Sequence, residues 1–369
     1  MVRVFYFCIQ LVLNSHNLYK QMLDYLIIGS GLAGISFAET ALQNDKSILV
    51  MDNGSQNSSK IAGGLYNPVI LKRFSEVWQA NEQLVLLDSF YEAIEEKLNL
   101  KINFKIPILR KFFSIEEQNN WFVASDKENL SPFLSLDLVS KKVDGIDSPF
   151  GYGEVLQTGY VDTAIFLEKY KKYLVDNKLF LNDTFDYNAF EIKEEYIQYK
   201  DVKAKHIVFA EGFGMHANPF FKHLPLDGTK GELFVINAPN LNLDVIINTS
   251  VFILPLGNHL FKVGATYNWK DKTNLPTEEG KLELLERINE ILNCDFEIIE
   301  HFAGVRPTVK DRRPLIGTHQ NHSNIHILNG LGTRGVMLGP AMAKALFENI
   351  EYGIPLDKEI DIKRFDKKK

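Results

Sequence analysis

The sequence is poor in cysteine: it has two among 369 residues, Cys8 and Cys294. They form neither a CxxC pair nor the ligand spacing of a zinc site. A disulfide framework is excluded, and we expect a protein of the reducing cytoplasm. Three histidines, His319, His322 and His326, lie close together in a polar segment. No carboxylate or cysteine has partner spacing to them, so the sequence predicts no metal site.

The chain also lacks an excess of positive charge and any long apolar run. Its formal net charge is −6, which leaves nothing to neutralise a nucleic-acid backbone. No stretch reaches the roughly 18 apolar residues of a membrane span, so no membrane partner is expected. Residues 1–21 include an apolar segment without a signal-peptide cleavage site. Because an apolar strand begins at Tyr25, we interpret residues 1–21 as a disordered extension or a mis-called start before Met22.

What the sequence does contain is βαβ patterning at both ends. The apolar runs Tyr25–Ile28 and Ile48–Met51 predict buried parallel strands, and a helix over Ile35–Gln43 lies between them. Near the other end, a helix is predicted from about Pro340 to Ile350. Alternating segments in the middle, including a hairpin over Phe252–Thr266, predict antiparallel sheet. The pattern indicates an α/β protein in which a Rossmann-like domain is interleaved with an α+β domain built on an antiparallel sheet.

A glycine-rich turn, Gly29-Ser30-Gly31-Leu32-Ala33-Gly34, follows the first strand, and Asp52 closes the second. Strand, GxGxxG, helix and acidic residue together form the fingerprint of a dinucleotide site. Gly29 allows the tight turn, Gly31 lets a pyrophosphate approach the backbone, and Gly34 lets the helix pack on the strand. Asp52 is expected to accept hydrogen bonds from a ribose. The alternative is a glycine-rich turn that binds nothing.

Three further segments resemble the D-amino-acid oxidase and glycine oxidase superfamily of FAD-dependent oxidoreductases. They are Ser58–Pro68 (SSKIAGGLYNP), Ala303–Gly317 (AGVRPTVKDRRPLIG) and Asn329–Pro340 (NGLGTRGVMLGP). These motifs occur in the order of the family, and the resemblance covers nearly the whole chain from Met22. It implies FAD as the cofactor.

The interleaved pattern and the resemblance together divide the chain. We expect an FAD-binding domain from 22–75, 150–215 and 300–369, and a substrate domain from 76–149 and 216–299. The resemblance also implies the cofactor contacts. Asp186 is expected to contact adenine through its backbone. This expectation comes from the resemblance alone, because no motif surrounds Asp186. The expected FAD-binding residues are Gly29, Gly31, Leu32, Ala33, Gly34, Asp52, Asn53, Ser58, Ser59, Ala62, Gly63, Gly64, Leu65, Asp186, Glu211, Gly212, Arg306, Gly330, Gly332, Thr333, Arg334, Gly335, Val336 and Met337.

Three residues are candidates for the substrate site. Arg306 matches the arginine that binds the substrate carboxylate in the family, and its guanidinium suits that task because two parallel hydrogen bonds fix the carboxylate. The alternative for Arg306 is an internal salt bridge. Arg334 is expected to reach either the flavin edge or the substrate. Phe252 stands where the amino-acid oxidases have a substrate-site tyrosine, which favours a bulkier or different amine.

The resemblance implies oxidation of the C–N bond of a small amine or amino acid, by hydride transfer to flavin N5 with molecular oxygen as the electron acceptor. Two alternatives stay open. The turn at Leu331–Gly335 also resembles the oxidase half of the bifunctional enzyme that modifies the wobble uridine of bacterial tRNA. The acidic net charge disfavours such a nucleic-acid partner. The other alternative is a flavin-binding protein without catalysis, which would not need a substrate arginine.

Overall fold

The computed structural model describes residues 22–366, so the predicted extension over 1–21 lies outside the described residues. The helices are α1 (Leu32–Gln43), α2 (Ser58–Ile61), α3 (Ala80–Leu98), α4 (Ile115–Ser125), α5 (Thr163–Asp176), α6 (Glu278–Asn289) and α7 (Gly335–Tyr352). The strands are β1 (Leu23–Ile28), β2 (Ile48–Met51), β3 (Leu65–Tyr66), β4 (Val69–Ile70), β5 (Ser75–Glu76), β6 (Asn103–Lys105), β7 (Ile108–Lys111), β8 (Leu134–Val139), β9 (Tyr152–Val155), β10 (Gly159–Val161), β11 (Phe180–Leu181), β12 (Phe190–Ile192), β13 (Ile197–Tyr199), β14 (Val202–Phe209), β15 (Thr229–Asn237), β16 (Ile246–Asn248), β17 (Phe252–Gly257), β18 (Leu260–Gly264), β19 (Glu297–Arg306), β20 (Leu315–His319) and β21 (His322–Asn329).

The first sheet has a parallel core in the order β11-β2-β1-β14-β21. Its central strands are continuous apolar runs because helices cover them: β2 is buried along its whole length. The strand β20 pairs antiparallel with β21. The hairpin β12–β13 extends the sheet, because β13 pairs antiparallel with the first half of β14. The α/β class with a Rossmann-like sheet is as predicted. The carboxyl ends of these strands meet at one edge, which is where such sheets bind ligands.

The helices α1, α5 and α7 pack against this sheet, and α3 packs on α7. The prediction that Pro340 begins the last helix is wrong, because α7 begins at Gly335. A proline inside a helix cannot donate to the carbonyl four residues before it. Here the hydroxyl of Tyr91 on α3 donates to that carbonyl, at Val336, over 3.1 Å. The tertiary donor explains why the helix tolerates proline in its second turn.

The second large sheet has the order β19-β15-β18-β17-β16-β7-β9-β8. Its pairs are antiparallel apart from β16 and β7, which run parallel. The predicted hairpin is present as β17 and β18, joined at Asn258 and His259 with left-handed backbone at both residues. The strands β9 and β19 both belong to this sheet, and β3, β10 and β6 form a small sheet of their own. The division into two domains at the predicted boundaries stays a proposal.

Candidate active site

A cavity of about 690 Å³ lies where the carboxyl ends of the parallel strands meet the second sheet. It is lined by the β1–α1 turn, the segment around α2, the end of β19 and the turn before α7. Of the predicted residues, four lie outside the lining: Gly34, Asp186, Gly330 and Met337. The others line it together: Gly29, Gly31, Leu32, Ala33, Asp52, Asn53, Ser58, Ser59, Ala62, Gly63, Gly64, Leu65, Glu211, Gly212, Phe252, Arg306, Gly332, Thr333, Arg334, Gly335 and Val336.

The glycine-rich turn is closely packed. Gly29 has φ +108°, and a Cβ there would lie 2.3 Å from the carbonyl oxygen of Ala210. A Cβ on Gly34 would lie 1.8 Å from the carbonyl oxygen of Gly29, so Gly34 serves the packing of helix on strand. Asp52 accepts a hydrogen bond from the Ser30 hydroxyl at 2.9 Å and ties the turn to the end of β2. These contacts require the small residues that the fingerprint supplies.

The N-terminus of α1 opens onto the cavity. The first N–H groups of a helix have no partner within the helix and attract anions. The N–H of Leu32 is 3.2 Å from the Ser59 hydroxyl, and a Cβ on Gly31 would lie 3.2 Å from the same oxygen. The space beside Ala33 is therefore surrounded by backbone N–H groups, by Gly31, which has no side chain, and by the Ser59 hydroxyl. This donor set fits the pyrophosphate of a dinucleotide cofactor.

Aromatic residues line the cavity beyond Asp52. Phe185 and Tyr187 are lining residues, whereas the side chain of Asp186 between them is exposed and accepts from the Asn188 N–H at 2.9 Å. Alternation along the chain therefore turns Asp186 away from the cavity. Nothing in the sequence marked Phe185 and Tyr187, because they lie in a segment without a motif.

Glu211 is enclosed at the same end. Its carboxylate accepts hydrogen bonds from the hydroxyl of Tyr187 and from the Asn218 amide, the latter at 2.7 Å. Burial raises the pKa of the Glu211 carboxyl from its ordinary value, while the two hydrogen bonds oppose that rise. The residue therefore links the aromatic segment to the end of β14.

The Ala62–Gly64 segment is held between the small sheet and the second large sheet. Gly64 has φ +70°, and a Cβ there would lie 1.9 Å from the Val161 carbonyl oxygen. The ring of Phe252 fills the space beside Gly63, where a Cβ would lie 2.6 Å from it. Lys262 on β18 donates to the Ala62 carbonyl at 3.2 Å, and burial lowers its pKa. Lys262 was not predicted from the sequence, although it is the single charged residue of the otherwise uncharged segment Leu260–Gly264.

Arg306 reaches the cavity by crossing β15. The two strands pair so that Gly231 lies beside the arginine side chain, and a Cβ on Gly231 would lie 2.2 Å from the guanidinium carbon. Nη1 donates to the Thr266 carbonyl at 3.2 Å, and the guanidinium lies 4.6 Å from the ring centre of Tyr267. Among residues 22–366, no carboxylate oxygen lies within 4.0 Å of this group. The alternative of an internal salt bridge is therefore wrong, and Arg306 lines the cavity.

Arg334 lies at the start of α7 and also lines the cavity. Burial lowers the pKa of its guanidinium, and the positive charges of Arg313, Arg312 and Arg73 lower it further. Because α7 begins at Gly335 and not at Pro340, the positive end of the helix dipole lies in the cavity wall itself. Positive potential is thus concentrated at this end of the cavity.

The comparisons decide the family. The family described as FAD dependent oxidoreductase (DAO) matches residues 24–349. This chain belongs to that family. Its predicted cofactor, FAD, and its predicted class, an FAD-dependent oxidoreductase, are confirmed by the match. The glycines of the turn and the N-terminus of α1 are the residues that would hold the FAD pyrophosphate.

Individual relatives are distant. Glycine oxidase of Bacillus subtilis (strain 168) is 22% identical over 350 residues, covering 87% of this chain and 91% of the relative. The tRNA 5-methylaminomethyl-2-thiouridine biosynthesis bifunctional protein MnmC of Legionella pneumophila (strain Lens) is 21% identical over 322 residues, with 83% of this chain but 47% of that longer protein covered. The crystal structure of glycine oxidase from Bacillus cereus ATCC 14579 superposes with a TM-score of 0.72 at 19% identity, covering 91% of this chain and 96% of the other. The superposition shows a shared fold.

None of the described helices combines the length and apolar character that a membrane crossing needs. Within residues 22–366, no group of three or more His, Cys, Asp or Glu side chains is arranged to hold a metal ion. His326 is buried, and its Nε2 lies 3.1 Å from Nδ1 of His206.

Proposed function

We propose that the protein oxidises the C–N bond of a small amine or amino acid, with FAD as its cofactor. The observation that supports this is the placement of Arg306 in the cavity that the dinucleotide turn also lines. Its guanidinium has no carboxylate partner among the described residues, so it is available to a substrate carboxylate. A relative named glycine oxidase covers most of this chain, which supports an amino acid as substrate.

The residues around Arg306 define what the chain contributes to the reaction. Arg306 would bind and orient the carboxylate, which places the adjacent C–N unit, and orientation alone lowers a barrier by several kcal/mol. Phe252 supplies an apolar wall where a tyrosine hydroxyl is absent. When FAD is bound, its flavin would supply the acceptor for the hydride that leaves the carbon next to nitrogen. Positive potential from Arg334 and the N-terminus of α7 would stabilise negative charge that develops along this wall.

The test is anaerobic titration of the FAD-loaded protein with a set of amines and amino acids. Loss of the oxidised flavin absorbance on addition of an amine is the expected result. Arg306→Gln should keep the flavin but raise the substrate concentration at half-bleaching by about 100-fold, as expected for loss of a charge-assisted pair. An amine that bleaches wild type and Arg306→Gln at the same concentration would contradict the role of Arg306.

Molecular oxygen is the proposed electron acceptor. The check is the rate at which the bleached protein regains its colour in air, with peroxide measured in parallel. One peroxide per flavin reoxidised is expected. Slow recovery in air, with fast recovery on adding a quinone or another dye, would show a dehydrogenase instead.

A second candidate substrate, a modified uridine in tRNA, is favoured by three pairs of arginine and aromatic rings. Arg306 lies over Tyr267, Arg312 over Trp269 at 5.1 Å, and Arg313 over Trp78 at 5.5 Å. Tyr267 and Trp269 are exposed, and arginine beside exposed aromatic rings is typical of surfaces that bind single-stranded RNA. The relative MnmC, whose name includes tRNA, supports the same candidate.

The RNA candidate has its own test. Binding of an anticodon stem-loop is measured at several salt concentrations, because phosphate contacts give affinity that falls steeply with salt. Submicromolar binding that weakens in Arg312→Gln would support the RNA substrate. If the stem-loop binds wild type and Arg312→Gln equally weakly, the RNA substrate is rejected.

A further inference from the structure

Two charged residues flank Gly231 on β15, and both are buried. The side chain of Lys230 is fully enclosed, and Glu232 has 2% of its surface exposed. Because successive side chains of a strand point to opposite faces, both lie on the face of β15 away from the Arg306 guanidinium. Charged side chains are almost never fully buried unless they are paired. Lys230 therefore needs partners behind the cavity wall that Arg306 lines.

The ammonium group of Lys230 binds residues 266–277, the segment that leads from β18 to α6. It pairs with the Asp271 carboxylate and donates to the Leu275 carbonyl. An oxygen of Glu232 lies 3.4 Å from the same nitrogen. The hydrogen bond from Lys230 lowers the pKa of the Asp271 carboxyl to about 2, so this carboxylate is ionised at neutral pH. One buried ammonium group thus ties the second half of the segment to β15.

Glu232 fixes the end of the same segment. Its carboxylate accepts from the Thr277 hydroxyl at 2.7 Å and from the Thr277 N–H at 3.0 Å. Thr277 in turn caps α6 by accepting from the Gly280 N–H at 3.0 Å. A Cβ on Gly280 would lie 2.4 Å from the carboxyl carbon of Glu232, so the first turn of α6 packs directly on this carboxylate. Nε2 of His301 on β19 lies 2.8 Å from the same group.

The beginning of the segment carries both groups that hold Arg306. The Thr266 carbonyl accepts from Nη1 of the arginine at 3.2 Å, and the ring centre of Tyr267 lies 4.6 Å from the guanidinium. Two backbone hydrogen bonds of 2.9 Å join Asn268 to Lys230. The residues that hold the arginine are therefore direct neighbours of the buried lysine.

Apolar packing does not hold this segment in place. Its large apolar side chains, Tyr267, Trp269 and Leu275, are exposed. The segment therefore gains little from the hydrophobic effect, and its shape depends on polar contacts. Lys272 and Asn274 contribute hydrogen bonds nearer the surface. A buried ion pair is a poor source of stability, because desolvation offsets the attraction of the charges, but its hydrogen bonds are directional and define one arrangement.

We infer that Lys230 is a positioning residue for carboxylate binding. It holds residues 266–277 against β15. The Thr266 carbonyl and the Tyr267 ring then orient the Arg306 guanidinium in the cavity. Lys230 acts from the opposite face of β15 and does not itself contact the ligand. This inference rests on the proposed function, in which Arg306 binds the substrate carboxylate.

The test measures ligand binding without turnover. Methoxyacetate carries a carboxylate and no nitrogen, so it cannot undergo C–N oxidation. Its dissociation constant is measured from the change in flavin absorbance of the FAD-loaded protein. Lys230→Met keeps an unbranched side chain and removes its charge, and it should weaken methoxyacetate binding about 10-fold while flavin content stays normal. Lys270→Met removes an exposed charge from the same segment and should bind methoxyacetate as wild type does.

A double-mutant cycle separates positioning from general damage to the fold. Arg306→Lys keeps a positive charge but has no planar fork for the Thr266 carbonyl and the Tyr267 ring to orient. In the Arg306→Lys background, Lys230→Met should therefore change the affinity for methoxyacetate less than about twofold. An equal loss of affinity in both backgrounds would overturn the inference, because the lysine would then act independently of Arg306.

Unchanged methoxyacetate affinity in Lys230→Met would also overturn the inference. If Lys230→Met does not retain flavin, Asp271→Asn replaces it, because this change removes the ion pair at its less buried end. Asp271→Asn should weaken methoxyacetate binding severalfold. An affinity of Asp271→Asn equal to that of wild type would contradict the positioning role.

A failure of the proposed function gives a different result. If Arg306→Gln binds methoxyacetate as tightly as wild type, Arg306 does not bind a carboxylate, and the proposed function loses its support. If Arg306→Gln weakens binding while Lys230→Met does not, only the positioning role of Lys230 is rejected.

Discussion

Arg306 reaches the cavity because Gly231 has no side chain. The guanidinium of Arg306 crosses β15 at this glycine, and a Cβ there would lie 2.0 Å from Nη2. The ring of Tyr267 and the Thr266 carbonyl hold the group beyond the crossing. Gly231, a residue of the second large sheet without a functional group, therefore determines whether Arg306 can contact a substrate.

Gly231→Ala should therefore displace Arg306 and weaken binding of carboxylate ligands by roughly 10-fold or more, as expected for loss of a charge-assisted pair. Flavin content should stay normal, because Gly231 lies away from the dinucleotide turn. The measurement is ligand titration by flavin absorbance. Gly214→Ala is the matched control, since its methyl group would make ordinary contact at 3.7 Å. Unchanged affinity in Gly231→Ala would show that Arg306 does not bind the ligand.

Asp52 should set cofactor affinity. It holds the Ser30 hydroxyl and is the acidic residue of the dinucleotide fingerprint. Asp52→Ala is expected to weaken FAD binding by about 10- to 100-fold, since hydrogen bonds to a charged group contribute roughly 1.5–3 kcal/mol. The increase in flavin fluorescence when the protein is diluted measures the dissociation of FAD. Asp176→Ala, at the end of α5, is the control, and equal flavin retention in the two variants would contradict the role of Asp52.

The hydrogen bond from the Tyr91 hydroxyl to the Val336 carbonyl should stabilise the fold. Tyr91→Phe leaves the Val336 carbonyl without a donor in a buried place, which costs on the order of 1–3 kcal/mol. Pro340→Ala restores an N–H at the helix position that bonds this carbonyl. In a double-mutant cycle measured by urea unfolding, the Pro340→Ala change should rescue much of the loss caused by Tyr91→Phe. Additive losses would mean that the tyrosine does not replace the missing helix bond.

Acid should destabilise the fold through His206 and His326. Burial lowers the pKa of both, and each also has the other as a neighbour, His326 being fully enclosed. The native state therefore favours the neutral rings, whereas the unfolded chain takes up protons near pH 6.5. Stability should be full above that pH and fall as the pH drops below it, by about 1.4 kcal/mol per unit of pKa difference.

Urea unfolding of the FAD-loaded protein at pH 8 and pH 5.5 measures this loss. His326→Gln should flatten the pH dependence, because it removes the more enclosed of the two rings. A wild-type stability that is the same at both pH values would contradict the assignment of two neutral histidines.

The parts of the site that local sequence specifies were predicted correctly. The turn at Gly29–Gly34 is specified by residues within one βα unit, so the motif carries its own context. The helix predicted to start at Pro340 failed because the compensating donor, Tyr91, comes from a distant helix. Proline is common at helix starts, and the sequence contains nothing to show that it lies one turn inside.

The substrate end of the cavity was predicted only in part for a similar reason. Arg306 was identified from its motif, but Gly231 and Tyr267 contact it through the register of β19, β15 and the segment after β18. Such cross-strand neighbours are fixed by pairing and not by spacing along the chain. The same holds for Tyr187, which donates a hydrogen bond to Glu211 from another part of the chain.

The most direct test is a crystal structure of the FAD-loaded protein with a bound carboxylate ligand. We expect the pyrophosphate at the N-terminus of α1, the flavin ring beside Gly64 and Gly332, and the ligand carboxylate on the Arg306 guanidinium. A flavin ring outside this cavity, or a carboxylate bound away from Arg306, would contradict the proposed site.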